Sequence, residues 1–160
     1  MPKAGFWAIG GYAISFRKDG RWYADDELIA NPHIARLFSE HVRPDDKGGW
    51  VIDVGIDRQS VTIEDTALVV TSIEGDCDAG FRVRANDGVT GDLDCATLAV
   101  GPDNVLYCDL DRGERGTIRA RFLRAPYYVL TGLMQIDDRS GAPVLECRGR
   151  CHVVRRLTAG

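Results

Sequence analysis

Three arginines late in the chain are the residues best suited to recognise an anion. Arg119 and Arg121 alternate with Ile118, Ala120 and Phe122, the period-two pattern of a strand that places both guanidiniums on one face. Arg124 follows two residues before Pro126, and Tyr127-Tyr128 come next; proline there suits the first turn of a helix. A helix N-terminus offers unpaired amides and the positive end of the dipole, and guanidinium forks bind phosphate or carboxylate in a bidentate manner. Arg119, Arg121, Arg124, Tyr127 and Tyr128 are therefore the candidate ligand-binding residues, with a small anion as the expected ligand. The competing reading is that these arginines neutralise the acidic first part of the chain.

A second constellation is Cys147-Arg148-Gly149-Arg150-Cys151-His152. Two thiolates and an imidazole would supply three zinc ligands, yet the spacing is C-x3-C with no further ligand pair nearby. Val144-Leu145 and Val153-Val154 on either side read as a hairpin whose cysteines face each other across the turn. Cys147, Cys151 and His152 are thus a weak metal candidate, and neither a metal nor a cofactor is expected. Cys77, Cys95 and Cys108 bring the cysteines to an odd five, without the spacing of a disulfide-stapled secreted domain; reduced thiols in a cytoplasmic protein are the simplest account.

Catalysis finds little support. His33 and His41 fall at the two ends of an expected helix, where they suit the surface. Asp25-Asp26-Glu27, Asp45-Asp46 and Asp109-Leu110-Asp111 read as solvated loops, and none has the alternating oxygen spacing of a calcium loop. No G-x-S-x-G elbow, H-E-x-x-H pair, Walker loop or G-x-G-x-x-G turn occurs. No catalytic residue is assigned.

The chain that must position these groups has 160 residues, 44% hydrophobic and 28% charged, which is ordinary for a soluble globular protein with a sizeable core. A net charge of −4 argues against a dedicated nucleic-acid binder. The charge is uneven. Residues 1–111 carry 20 acidic and 10 basic side chains, whereas residues 112–160 carry 4 and 10, all ten of them arginine. Packing of the two parts against each other, or against a second copy, explains this more simply than an anionic partner. The apolar run Ala4–Phe16 is too short to span a bilayer and lacks a clear cleavage site, so a cytoplasmic protein with no membrane contact is expected.

Asp19-Gly20 signals a hairpin between Ala13–Arg17 and Trp22–Ala24. Asn31-Pro32 opens an amphipathic helix that runs to about Val42. The stretch Gly49–Gly75 holds three strand signals: Trp50–Val54, Val61–Ile63 and the continuous apolar run Ala67–Val70. These are expected to form the central sheet, with Trp50 as packing anchor. Phe81–Arg84, Leu93–Val100, Val105–Leu110 and Arg115–Leu123 read as further strands, and a second helix starts near Pro126. A rhythm of strand, proline-initiated helix and strand recurs at 21–54 and 116–147. The fold class is α+β, a mainly antiparallel sheet with two short helices, arranged as two related strand-helix-strand halves. The parts divide at 1–75 and 76–160, either separately or as one continuous domain.

The order of these motifs resembles the DUF1285 family of bacterial proteins of unknown function. The resemblance rests on Asp19-Gly20-Arg21-Trp22-Tyr23, Ile34–Ser39, Trp50–Val54, Val61–Ala67 and Arg119–Leu130, and covers most of residues 15–157. It departs after the Trp50 strand, where Val54-Gly55-Ile56-Asp57 replaces the expected Thr-Pro and Glu. The resemblance implies a two-part α+β fold with related repeats and a signalling or ligand-sensing role, with no catalytic residues to carry over. A non-enzymatic module binding a ligand or partner, in a homodimer, is the leading expectation. The alternatives are a small hydrolase or thiol-dependent enzyme and a structural homo-oligomerisation domain.

Overall fold

Local turn and cap chemistry sets the first elements. Asp19-Gly20 turns the chain between β1 (Ile14–Phe16) and β2 (Trp22–Ala24), which pair antiparallel with Ser15 opposite Tyr23. The structure is a computed structural model describing residues 11–158, so most of the apolar Ala4–Phe16 run lies outside the described residues. β3 (Glu27–Leu28) pairs with β2. Asn31 then caps α1 (Pro32–His41), its side-chain oxygen accepting from the amides of His33 at 2.9 Å and Ile34 at 3.4 Å. Pro32 occupies the first helical turn, where no amide is needed. Asn31→Ala removes this cap and should cost about 1 kcal/mol, seen as a lower urea midpoint at unchanged slope.

β4 (Val42–Pro44), β5 (Trp50–Asp53) and β6 (Arg58–Ile63) form an antiparallel meander. β6 returns to lie parallel to β1, so the first sheet has the order β3-β2-β1-β6-β5-β4. The second sheet repeats this order. β7 (Leu68–Asp76), β8 (Gly80–Ala85), β9 (Thr90–Asp92), β10 (Ala99–Val100), β11 (Leu106–Asp111) and β12 (Thr117–Phe122) run β9-β8-β7-β12-β11-β10. Here β12 lies parallel to β7, and a 3-10 turn at Cys95–Thr97 stands where the first unit has α1. α2 (Arg124–Thr131) follows β12 and packs on β7. β13 (Gln135–Ile136), β14 (Pro143–Cys147) and β15 (Arg150–Val153) form a three-stranded sheet, and β16 (Arg155–Arg156) joins the second sheet beside β10. Only β1–β6, β7–β12 and β10–β16 pair in parallel among the described residues. The fold is α+β and mainly antiparallel.

Two expectations change. The strands of Gly49–Gly75 do not form one sheet: β5 and β6 belong to the first and β7 to the second, because the partners of β6 and β7 are the remote β1 and β12. Leu93–Val100 is not a strand throughout; Asp94 accepts from the Ala96 amide and tightens Cys95–Thr97 into a 3-10 turn, leaving only Ala99–Val100 extended. The strands of like order run over 14–63 and 68–122. The segments 21–54 and 116–147 diverge after their helices, since α1 leads into the first sheet and α2 into the separate three-stranded one.

One apolar cluster runs through both sheets and into β14, from Ile14 to Val154. Leu68, Val69 and Val70 are buried without alternation, as a strand covered on both faces requires. Trp22, only 1% exposed, is the anchor of the first unit. It lies 4.7 Å from the Phe16 ring and edge-on at 5.5 Å to Phe38. Trp50 is half-buried at the margin of this cluster. The tip of the first hairpin rests on the second unit at Gly20, where φ is +81° and a Cβ would come within 2.9 Å of Val69; glycine answers both demands.

Candidate functional site

Two turns of the second sheet and the end of α1 converge on one carboxylate. Asp87, in the β8–β9 turn, accepts from Arg112 Nε at 2.7 Å and its terminal nitrogen at 3.2 Å, and from Arg115 at 2.7 Å. The Asp87 side chain has no exposed surface, and those of Arg112 and Arg115 are 7% and 15% exposed. Burial pushes the Asp87 carboxyl up, but the hydrogen bonds and charge of Arg112, the Val89 amide and Arg115 outweigh it and hold the group below its ordinary value. Arg115 also donates to the carbonyls of Ser39 at 2.8 Å and Val42 at 3.2 Å, placing a cation at the C-terminal end of α1 where the dipole favours one. The Ser39 hydroxyl accepts from Trp22 Nε1 at 2.9 Å and from the Asn86 amide group at 2.8 Å. This is a clamp between the two units.

A groove of about 640 Å³ opens beside the clamp, with His41, Arg43, Asp53, Arg112, Glu114 and Arg115 among its walls. Its buried guanidiniums are engaged by Asp87 and the α1 carbonyls. Its other arginine, Arg43, donates to the Glu114 carbonyl at 3.4 Å and shares the walls with the acids Glu40, Asp53 and Glu114. The groove has no surplus of positive charge to hold an anion.

Two arginines of the candidate anion site, Arg119 and Arg121, lie on the face of β12 turned away from the core. Ile118, Ala120 and Phe122 point into the core and Arg119 and Arg121 away from it, following the alternation. Arg119 stands directly opposite Asp109 across the β11–β12 ladder and pairs with it at 3.3 Å. Arg121 stands opposite Tyr107 and pairs with Asp65 at 2.7 Å. The Tyr107 hydroxyl donates to the same carboxylate, 2.9 and 3.1 Å from its two oxygens; burial, then the bond and negative charge of Asp65, push its phenol above the ordinary value. Arg112, Arg115, Arg119 and Arg121 thus all pair with acids from the first 111 residues, which accounts for much of the charge asymmetry.

Arg124 differs. It occupies the first position of α2, is exposed, and makes no side-chain hydrogen bond or ion pair among the described residues. Leu123 supplies no side-chain cap, and the first turn contains no acidic residue. Because Pro126 has no amide hydrogen, Arg124 and Ala125 provide the first-turn donors before Tyr127 bonds the Leu123 carbonyl at 3.0 Å. Tyr127 is half-buried against the core, while Tyr128 is 63% exposed and meets the Tyr127 ring edge-on at 5.3 Å. Of the five candidate residues, Arg124 and Tyr128 are open, Arg119 and Arg121 are ion-paired, and Tyr127 is scaffold.

The cysteine hairpin takes a different form from that expected. Arg148 and Gly149 both have positive φ, 53° and 77°, as a two-residue turn of the primed type requires. This register sets Cys147 opposite Arg150 and Cys151 opposite Glu146. Successive residues alternate faces, so Cys147 is buried and Cys151 is exposed on the other side. The two thiols do not face each other, and Cys147, Cys151 and His152 are not brought together as a metal site. The neighbour of Cys147 is instead the buried Cys95, with which it lines one cavity.

Sequence reasoning missed both the clamp and the Cys95–Cys147 contact. Asn86-Asp87-Gly88 reads only as a turn, and nothing local marks Asp87 as the partner of two arginines 25 and 28 positions away.

No protein-family model matches the chain, and no curated protein matches it. Solved structures do. A DUF1285 family protein from Silicibacter pomeroyi DSS-3 superposes with a TM-score of 0.70 at 18% identity, over 89% of this chain and 79% of that one. A second, from Shewanella baltica OS155, gives a TM-score of 0.60 at 19% identity, over 76% of this chain and 92% of the other. The chain has the fold of these DUF1285 family proteins.

Proposed function

We propose that the chain is a DUF1285-type, non-catalytic binding module that takes a small anion, or an acidic group of a partner, at the start of α2. Arg124 is the principal contact and Tyr128 the aromatic wall; Arg119 and Arg121, on the preceding strand, are held by Asp109 and Asp65. The carrying observation is the charge at this helix start. A guanidinium without a partner among the described residues sits at the positive end of the dipole, where a cation is disfavoured, and no carboxylate or side-chain cap offsets it. An incoming anion would satisfy the dipole, the two amides and the guanidinium together. In the same reading the protein is cytoplasmic, serves a sensing or signalling role as related halves of one continuous domain, and pairs as a homodimer through the exposed Val129 of α2 and Leu133 just after it.

Thermal-shift titration with inorganic phosphate, citrate and adenosine triphosphate tests the proposal. At least one should raise the wild-type Tm in a saturable way, and Arg124→Glu should abolish the rise while leaving the unliganded Tm within a few degrees. Equal shifts in both proteins would exclude this site.

A further inference from the structure

We propose that Cys95 and Cys147 are a reversible redox pair, oxidised by a hydroperoxide to a disulfide that fastens the β14–β15 hairpin to the second sheet. This rests on geometry separate from the anion site. Cys95 opens the 3-10 turn before β10 and Cys147 ends β14, and their thiols are electrostatic neighbours. Both are reduced and buried, at 3% and 7% exposure. Both also line a surface cavity of about 360 Å³, whose walls include Arg148, Arg150 and His152, so a small oxidant can reach thiols closed to larger reagents. The hairpin end is already docked: the Arg148 amide donates to the Cys77 carbonyl at 2.7 Å and its guanidinium to the Ala79 carbonyl at 2.9 Å.

The chemistry divides unequally between the thiols. Burial pushes the Cys95 thiol up to about 12, and Cys147 is the more exposed of the two, 7% against 3%. Cys147 is assigned the first attack. Its sulfur takes one peroxide oxygen as the O–O bond breaks, giving a sulfenic acid and one water. Cys95 then attacks that sulfur, its proton leaving with the displaced hydroxide as a second water. Two thiols lose two electrons and two protons, and one hydrogen peroxide becomes two waters. A dithiol reductant reverses the step by exchange.

The test uses the full chain with Cys151→Ser, which removes the exposed thiol, treated with hydrogen peroxide, then unfolded in guanidinium chloride and alkylated. Peptide mapping should find Cys95 joined to Cys147 with the loss of two hydrogens and no alkylation at either, and dithiothreitol should restore both alkylation sites. The oxidised protein should melt about 4–16 °C higher than the reduced one, a shift absent from Cys147→Ala. The proposal is overturned if both thiols remain alkylatable after a treatment that fully oxidises Cys151 in the wild type. It is equally overturned if Cys147 stops at sulfinic acid with Cys95 unmodified. Either outcome would mark the pair as ordinary buried packing.

Discussion

Asp87→Ala should melt on the order of 6–20 °C below the wild type, the expected result of removing about 3–5 kcal/mol from a chain of this size. The loss comes less from the absent ion pairs than from the charges left behind. Arg112 and Arg115, both nearly buried, would keep their charge without a carboxylate, and an unpaired buried charge costs more than the pair contributes. Asp87→Asn keeps the shape and most acceptor geometry but not the charge, and should fall between the two. Acid titration separates the contributions. Since the folded Asp87 carboxyl lies below its ordinary 3.8, the stability it supplies is complete above that value and lost as pH falls through the folded one. The wild-type advantage over Asp87→Asn, followed by urea midpoints, should therefore hold from neutral pH to about 4 and shrink below it. An advantage that disappears well above pH 4 would place the coupling elsewhere.

Trp22→Ala should cost a comparable amount, about 3–5 kcal/mol. The indole is 1% exposed, packs against Phe16 and Phe38, and donates to the Ser39 hydroxyl. Truncation opens a cavity between α1 and the first sheet and removes a hydrogen bond from the hydroxyl that Asn86 of the second unit also uses. Trp22→Phe refills part of the volume and should recover most of the loss except the hydrogen bond, about 1 kcal/mol. Trp50→Ala, at the half-buried margin, should cost clearly less than Trp22→Ala. Denaturant midpoints for the three variants rank them, and an equal loss at Trp50 would remove Trp22 from its central place.

Local elements are legible where their chemistry is local. Asn31 and Pro32 write the start of α1, Asp19-Gly20 the first hairpin, and Ile118, Ala120 and Phe122 the buried face of β12. Helical spacing would put Ile136 on the buried face of the second helix, but α2 ends at Thr131 and Ile136 lies exposed on β13. Pairing across distance is the part that local chemistry does not write. Parallel neighbours β1–β6 and β7–β12 are separated by whole units, and no turn residue announces them. The same limit explains the cysteines. Parity along the hairpin separates Cys147 from Cys151, while the fold brings in Cys95 from the 3-10 turn before β10. It also explains why Arg119 and Arg121 look available in the sequence: only the β11–β12 register and the position of Asp65 show that both are already paired.

Anion binding at the opening of α2 is open to an amide-resolved titration. Uniformly 15N-labelled protein titrated with inorganic phosphate and with citrate should show saturable shifts centred on the Arg124 and Ala125 amides. In Arg124→Glu those shifts should vanish while the rest of the spectrum is preserved. Shifts that are linear in concentration, that centre instead on the groove beside Arg43 and Arg115, or that survive unchanged in Arg124→Glu would contradict the account.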